Sequence, residues 1–256
     1  MRLARASVCV TLSAILLWAT PLRAQESRPE EAGDYSSSRR FLFELRFGPY
    51  APRIDSEFDG KATPFKDMFG DGQALMFGGE LEWEVFQRFG TIAVGGAIGY
   101  YTNSAKTFID TGNGTTPSGT AERSAFDTTI NLLPLSLLAI YRFDLPAVRW
   151  RIPLVPYAKV GLNYTFWWIT KGSGDTSTFA GHKAAGGTFG WQFNLGGALL
   201  LDFIERHAAK ALDTEIGINH TYLYFEFVYF AADGLGKSSA LRVGDTTWVG
   251  GLAFEF

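Results

Sequence analysis

In the closing stretch Leu241–Phe256, LRVGDTTWVGGLAFEF, two sets of residues alternate. Trp248, Gly250, Leu252, Phe254 and Phe256 share one parity, and Asp245, Thr247, Val249, Gly251, Ala253 and Glu255 share the other. A period of two assigns the sets to opposite faces of a β-strand. Large apolar residues on one face and polar or small ones on the other is the pattern of a strand that separates lipid from a barrel interior. A soluble sheet can contain one such strand, so the reading depends on whether the rest of the chain supplies further walls.

It supplies seven. Phe41–Tyr50 sets Phe41, Phe43, Leu45 and Phe47 against Glu44 and Arg46. Gln73–Phe86 alternates most clearly, with Leu75, Phe77, Leu81, Trp83 and Val85 opposite Glu80, Glu82 and Glu84. Phe89–Tyr101 follows after only Gln87 and Arg88, which reads as a tight hairpin. Its Ala and Gly residues leave room for side chains from the opposite wall. In Thr128–Phe143, Leu133, Leu135, Leu137, Ala139 and Tyr141 take the outward parity, yet Ile130, Leu132, Leu138 and Ile140 on the other parity are apolar too. Pro134 inside this strand predicts a bulge or a distortion. Leu154–Trp168, Thr188–Leu201 and Ile216–Phe230 complete the set. Between the last two the period changes: Phe203–Leu212, FIERHAAKAL, fits a short helix with Asp202 as its N-cap.

Long polar connections, Arg53–Gly72, Asn103–Phe126, Thr170–Gly187 and a glycine-rich loop through Asp233, Gly234 and Gly236, alternate with shorter ones. The expected fold is all-β: an eight-stranded antiparallel transmembrane β-barrel with a short periplasmic helix between strands six and seven, both termini in the periplasm and the long loops outside. Each strand is long enough for the ~9–11 residues that a tilted crossing requires. Trp83, Phe86 and Phe89 at one edge, and Phe166, Trp167 and Trp168 at the other, are the expected interfacial aromatic belts.

The N-terminus reads as an address. Arg2 and Arg5 precede an apolar run from Ala6 to Ala19, and Leu22 and Ala24 sit where a signal peptidase inspects its substrate. Residues 1–24 are read as a signal peptide, 25–40 as a flexible periplasmic leader and 41–256 as the barrel. Cys9 is the chain's one cysteine and lies in the signal segment, so the mature protein has no disulfide framework, cysteine-held metal or thiol nucleophile. Removing Arg2, Arg5 and Arg23 leaves 20 basic against 26 acidic residues, a formal charge of −6, which argues against a nucleic-acid partner. The expected location is the outer membrane of a Gram-negative cell.

The final strand resembles the terminal strand of outer-membrane β-barrel proteins, in which a closing Phe with apolar residues at every second position is read by the assembly machinery. That resemblance implies Trp248, Leu252, Phe254 and Phe256 as the assembly signal. It also implies outer-membrane lipids, the barrel-assembly machinery and periplasmic chaperones as partners. Leu201–Phe227, LDFIERHAAKALDTEIGINHTYLYFEF, resembles the hallmark region of a family of uncharacterised outer-membrane β-barrel proteins from myxobacteria. FLFELRFGPY, LPLSLLAIYRF, VPYAKVGLNY and Phe256 agree with it. The positions that match its pattern are Asp202, Glu205, His207, Asp213, Glu215, Asn219 and His220, and the family brings no activity with it.

The chemistry concentrates on the inward parity. Glu44, Glu80, Glu82, Glu84 and Glu226, with Arg46, Arg142 and Lys159, are expected as a lumen charge network. In so narrow a barrel it reads first as an ion-paired plug. A wetted narrow channel for ions or small solutes, and a carboxylate pair in a lipid-modifying enzyme, are the alternatives. His207 and His220, near Asp213 and Glu215, read first as capping groups in a periplasmic turn, with a metal site or general base as lesser readings. Ser124 and Ser136 lack a nucleophile motif, GLGKSS at Gly234–Ser239 lacks the first P-loop glycine, and GNGTTPSG lacks dinucleotide spacing. No catalytic residue, metal or cofactor is assigned. Reversing every face would give a secreted, lipocalin-like carrier. The leading role is structural or surface-interacting, with an extracellular partner contacted through the loops.

Overall fold

The computed structural model of the chain describes residues 40–108, 123–150, 152–179, 182–203, 217–237 and 240–256. Its strands are β1 (Phe41–Tyr50), β2 (Ala74–Gln87), β3 (Thr91–Phe108), β4 (Arg123–Arg142), β5 (Leu154–Lys171), β6 (Thr178–Phe179), β7 (His182–Lys183), β8 (Ala185–Leu200), β9 (His220–Ala231) and β10 (Asp245–Glu255). Eight of them close a barrel in the order β1-β10-β9-β8-β5-β4-β3-β2, and β6 and β7 form a separate two-residue ribbon. Every neighbouring pair in the barrel is antiparallel.

Closure brings the first strand and the last together. β1 pairs with β10 from Leu42↔Glu255 to Phe47↔Gly250. Beyond the ladder, Phe256 N–H donates to Phe41 O at 2.8 Å, and Arg40 N–H donates to Phe256 O at 3.0 Å. Gly251 permits this seam, since a β-carbon there would collide with the carbonyl oxygen of Leu45. The end of the barrel that holds Arg40 and Phe256 is called the terminal end below, and the opposite end the loop end.

The faces fall as the alternation requires. On β2, Leu75, Phe77, Leu81, Trp83 and Val85 are exposed, whereas Glu80, Glu82 and Glu84 are buried. β10 turns Trp248 and Leu252 outward and Asp245, Thr247, Val249, Ala253 and Glu255 inward. The reversed-face arrangement of a soluble carrier is therefore not the one observed.

Several boundaries differ from expectation. The stretch Asn103–Phe126 starts and ends as sheet: β3 and β4 stay paired out to Phe108↔Arg123, with Ser104–Thr129 and Thr107–Thr128 hydroxyl contacts at 2.7 Å. The outward residues there include Thr102, Ser104 and Lys106, so this part of the sheet has the composition of a loop. Likewise Thr170–Gly187 gives its ends to β5 and β8 and its middle to the β6–β7 ribbon. Arg53–Gly72 holds a 3-10 turn (Ile54–Phe58) and helix α1 (Pro64–Phe69). The Asp55 carboxylate accepts from Phe65 N–H at 2.7 Å and Lys66 N–H at 2.9 Å, capping α1 from a distance in sequence. α2 (Leu145–Trp150) lies between β4 and β5.

Of the two expected irregularities, Pro134 makes the distortion and not the bulge. The β4–β5 register runs unbroken through Pro134↔Thr165, while on the other side the β3–β4 ladder loses the rungs at Gly99 and Tyr100 without shifting. Proline lacks the N–H that such a rung uses. The register shifts that do occur lie at Glu84/Phe86 and Lys106/Phe108. The expected helix Phe203–Leu212 lies outside the described residues except for Phe203, which ends a 3-10 turn, Leu201–Phe203. The seventh wall begins at His220 rather than Ile216, and residues 217–219 are irregular.

Candidate functional site

Three layers fill the barrel along its axis. The middle layer is ionic and contains every inward charge expected from the sequence. β5 carries Lys159, whose Nζ lies 2.8 Å from Glu44 Oε2, 2.8 Å from Glu80 Oε1 and 3.0 Å from Glu82 Oε1. β1 carries Arg46, which pairs with Glu80 and Glu226 and lies 3.3 Å from Glu44. β4 carries Arg142, which pairs with Glu84 and lies 3.6 Å from Glu82. A neutral relay extends the network: Asn194 donates to Glu226 at 3.1 Å, Gln192 to Asn194 at 3.3 Å and Ser136 to Gln192 at 2.7 Å. Ions buried this deeply lose several kcal/mol of hydration each, and shared multidentate pairing offsets that cost.

Glu44, Glu80 and Glu82 are the one group of carboxylates among the described residues close enough together to hold a metal ion. The ammonium of Lys159 already sits among them, and a second cation at that point would meet its charge. The trio therefore does not fit a metal site.

Toward the loop end the layer above is apolar and aromatic. Tyr50, Tyr101, Ile130, Leu132, Phe230 and Val243 are all buried. Tyr50 meets Tyr101 edge-on with ring centroids 5.1 Å apart, meets Phe230 at 6.4 Å, and donates its hydroxyl hydrogen to Val243 O. Phe65 of α1 belongs to the same cluster. Trp167, expected in an interfacial belt, instead packs against this cluster, because its parity on β5 is the inward one. Phe166 keeps the outward position, and Trp83, Phe86 and Phe89 are exposed as expected.

Toward the terminal end the interior opens into a cavity of about 210 Å³ whose lining includes Leu42, Glu84, Arg142, Tyr157, His220 and Glu255. Glu255 was on the inward parity of the closing strand but stood outside the expected network. It is buried and accepts from Tyr222 Oη at 2.6 Å.

The matched positions near the sixth and seventh walls divide. Asp202 and His220 come together: His220 Nδ1 lies 2.5 Å from Asp202 Oδ2, and Thr221 N–H donates to Asp202 Oδ1 at 3.1 Å. Asn219 N–H donates to Glu255 O at 2.7 Å. The Asp202 contacts fasten the 3-10 turn to the start of β9, and the Asn219 bond ties the residue before β9 to the end of β10. Glu205, His207, Asp213 and Glu215 lie outside the described residues. Trp248, Leu252 and Phe256 are exposed and Phe254 half-buried, all on the outer face, with Trp248 stacked on Phe225 at 5.0 Å.

No family model matches the chain, and no curated protein does. Among solved structures it is similar to Ail, the attachment invasion locus protein of Yersinia pestis, in complex with the heparin analogue sucrose octasulfate, at 10% identity over 85% of this chain and 97% of that one, with a TM-score of 0.40. It is similar also to the outer membrane protein OprG from Pseudomonas aeruginosa, at 14% identity over 85% and 96% of the two chains, with a TM-score of 0.41.

Proposed function

We propose that this chain is an integral outer-membrane β-barrel with a shut lumen, whose role is structural or is exercised through its loop-end surface. The observation that carries this reading is the apolar exterior, which runs round the whole circumference. Each of the eight walls exposes large apolar side chains, among them Phe47, Leu81, Val94, Leu137, Leu162, Leu195, Phe225 and Trp248. Water would penalise so continuous a surface, and lipid would not. Along β2 the exposed apolar residues run from Leu75 to Val85, and at ~3.3 Å per residue with a ~40° tilt that height is about 25 Å, the thickness of an outer-membrane hydrocarbon band. Among the described residues no helix is long and apolar enough to cross a membrane.

The shut lumen follows from the two inner layers. A conducting ion would have to displace Lys159 or Arg46 from their carboxylates and then part the Tyr50–Tyr101 contact. The outward Trp248, Leu252, Phe254 and Phe256 support recognition by assembly machinery and chaperones after removal of the signal peptide. The region between β1 and β2 and the β3–β4 hairpin, where Phe126 is exposed, support contact with an extracellular partner. The test is the mature protein extracted from outer membranes. It should need detergent, migrate differently before and after boiling, and give flat current traces in planar bilayers. A species that stays dispersed without detergent would overturn the membrane assignment, and unitary current steps would overturn the shut lumen.

A further inference from the structure

We propose that residues 60–70 form a flap that opens at the loop end while the barrel stays folded, with Phe65 as its plug and Arg123 as its catch. The connection between β1 and β2 divides into a fixed base and a hinged part. The base is tied to the wall: Arg53 N–H donates to Gly244 O at 3.0 Å, Arg242 N–H donates to the Glu57 carboxylate, and Arg242 Nη1 donates to Ser56 O at 3.1 Å. Beyond it the chain turns at Asp59 and Gly60, with φ of 48° and 78°, carries α1, and turns again at Gly70 with φ of 84°. Glycine suits such φ values. At Gly60, Gly70 and Gly72 a β-carbon would meet nothing within 4 Å among the described residues. Open surroundings at both ends let the backbone angles change without a collision, as a hinge requires.

Three attachments hold the flap down. Phe65 is the buried residue of α1, 7% exposed, and belongs to the cluster that contains Tyr50, Tyr101 and Phe230. Arg123, at the start of β4, donates from Nη2 to Asp67 O at 2.7 Å and from Nη1 to Met68 O at 2.8 Å, two carbonyls of the last turn that α1 itself leaves unpaired. The same guanidinium donates to Lys106 O at 3.0 Å and lies 4.4 Å from the centre of the Phe108 ring, so the catch is seated on the β3–β4 hairpin rather than on the flap. At the other end of α1 the third attachment is the Asp55 carboxylate, which accepts from Phe65 and Lys66 N–H. One buried ring and a few largely exposed hydrogen bonds resist opening far less than the continuous ladders of the barrel do, which is the condition for local opening without unfolding. Opening uncovers the aromatic layer, while the ions around Lys159 still shut the lumen. The flap therefore exposes a recess that fits one aromatic ring, not a pore.

The experiment is the rate at which a water-soluble maleimide, too polar to enter lipid, labels Ile130→Cys in the mature protein held in lipid vesicles, with Cys9→Ser so that this thiol stands alone. Ile130 is 1% exposed and shares the cluster of Phe65, and Leu138→Cys, equally buried but in a separate cluster, is the control. Slow labelling of Ile130→Cys is expected, made about tenfold faster by Arg123→Ala and by Phe65→Ala. Leu138→Cys should stay unlabelled in every background. Arg242→Ala, which removes a bond of the base alone, should change the rate by less than about threefold. Unboiled gel mobility establishes that each variant is folded, and Leu132→Cys, from the same cluster, replaces Ile130→Cys if that variant is not. No labelling even with Arg123→Ala, equal acceleration by Arg242→Ala, or labelling of Leu138→Cys at the same rate would overturn the proposal.

Discussion

β2 and β4 line the same lumen on either side of β3, and they line it in opposite ways. β2 presents Glu80, Glu82 and Glu84 to the interior, whereas β4 presents Ile130, Leu132, Leu138 and Ile140. Outside, the two are alike: Leu81 is 54% exposed and Leu137 is 63% exposed. The outer face is apolar on both strands, while the inner face need only be filled and satisfied. Carboxylates meet that condition by sharing Lys159, Arg46 and Arg142; aliphatic side chains meet it by packing. β3 makes room for both with small residues. A β-carbon at Gly95 would lie 2.9 Å from Ile140 Cδ1 and 3.4 Å from both Glu80 Oε1 and Glu82 Cγ. The side chains that fill the space above β3 thus come from its two neighbours rather than from the far wall.

The contrast can be broken first on its ionic side. Lys159→Met leaves three buried carboxylates without their common ammonium, and the expected loss is ~3–5 kcal/mol of unfolding free energy, read as a lower urea midpoint for the barrel in lipid vesicles. Adding Glu80→Gln should recover part of it, since one of the stranded charges is removed. On the apolar side, Leu138→Ala should cost ~2–4 kcal/mol by opening a cavity, with the same measurement showing no recovery from Glu80→Gln. Gly95→Val, which overfills the place where both linings meet, should cost ~1–3 kcal/mol. If it were neutral, the two linings would not be in contact as described. The smallest effect is expected next door to Leu138: Leu137→Met changes a side chain on the exposed outer face, and the unfolding free energy should change by less than ~0.5 kcal/mol. An equal response from Leu137→Met and Leu138→Ala would erase the distinction between faces.

Much of this was readable from parity. A charged residue on a strand whose other face is uniformly apolar has only the lumen to occupy, so Glu44, Arg46, Glu80, Glu82, Glu84, Arg142, Lys159 and Glu226 were identifiable without coordinates. Parity also gave Glu255 and Tyr50 their inward positions, but nothing local marked the one as part of a cavity wall or the other as part of an aromatic seal. Composition misled where sheet continues into water, as in the β3–β4 hairpin, since polar strands and polar loops use the same residues. Pro134 was legible as an irregularity, but only the structure shows that its missing N–H removes rungs on one side without adding a residue.

Alternation is a property of neighbours along the chain, and it was enough to specify eight walls, the face that each turns outward, and the charges left inside. Partnership is a property of closure. Arg46 and Glu226 stand 180 residues apart and meet because β1 and β9 both flank β10. The same closure places Lys159 among three carboxylates from two other strands and Asp202 against His220, and it leaves a cavity at one end and a seal at the other. Those outcomes depend on register and on the way eight tilted strands share one narrow space, which no single strand encodes.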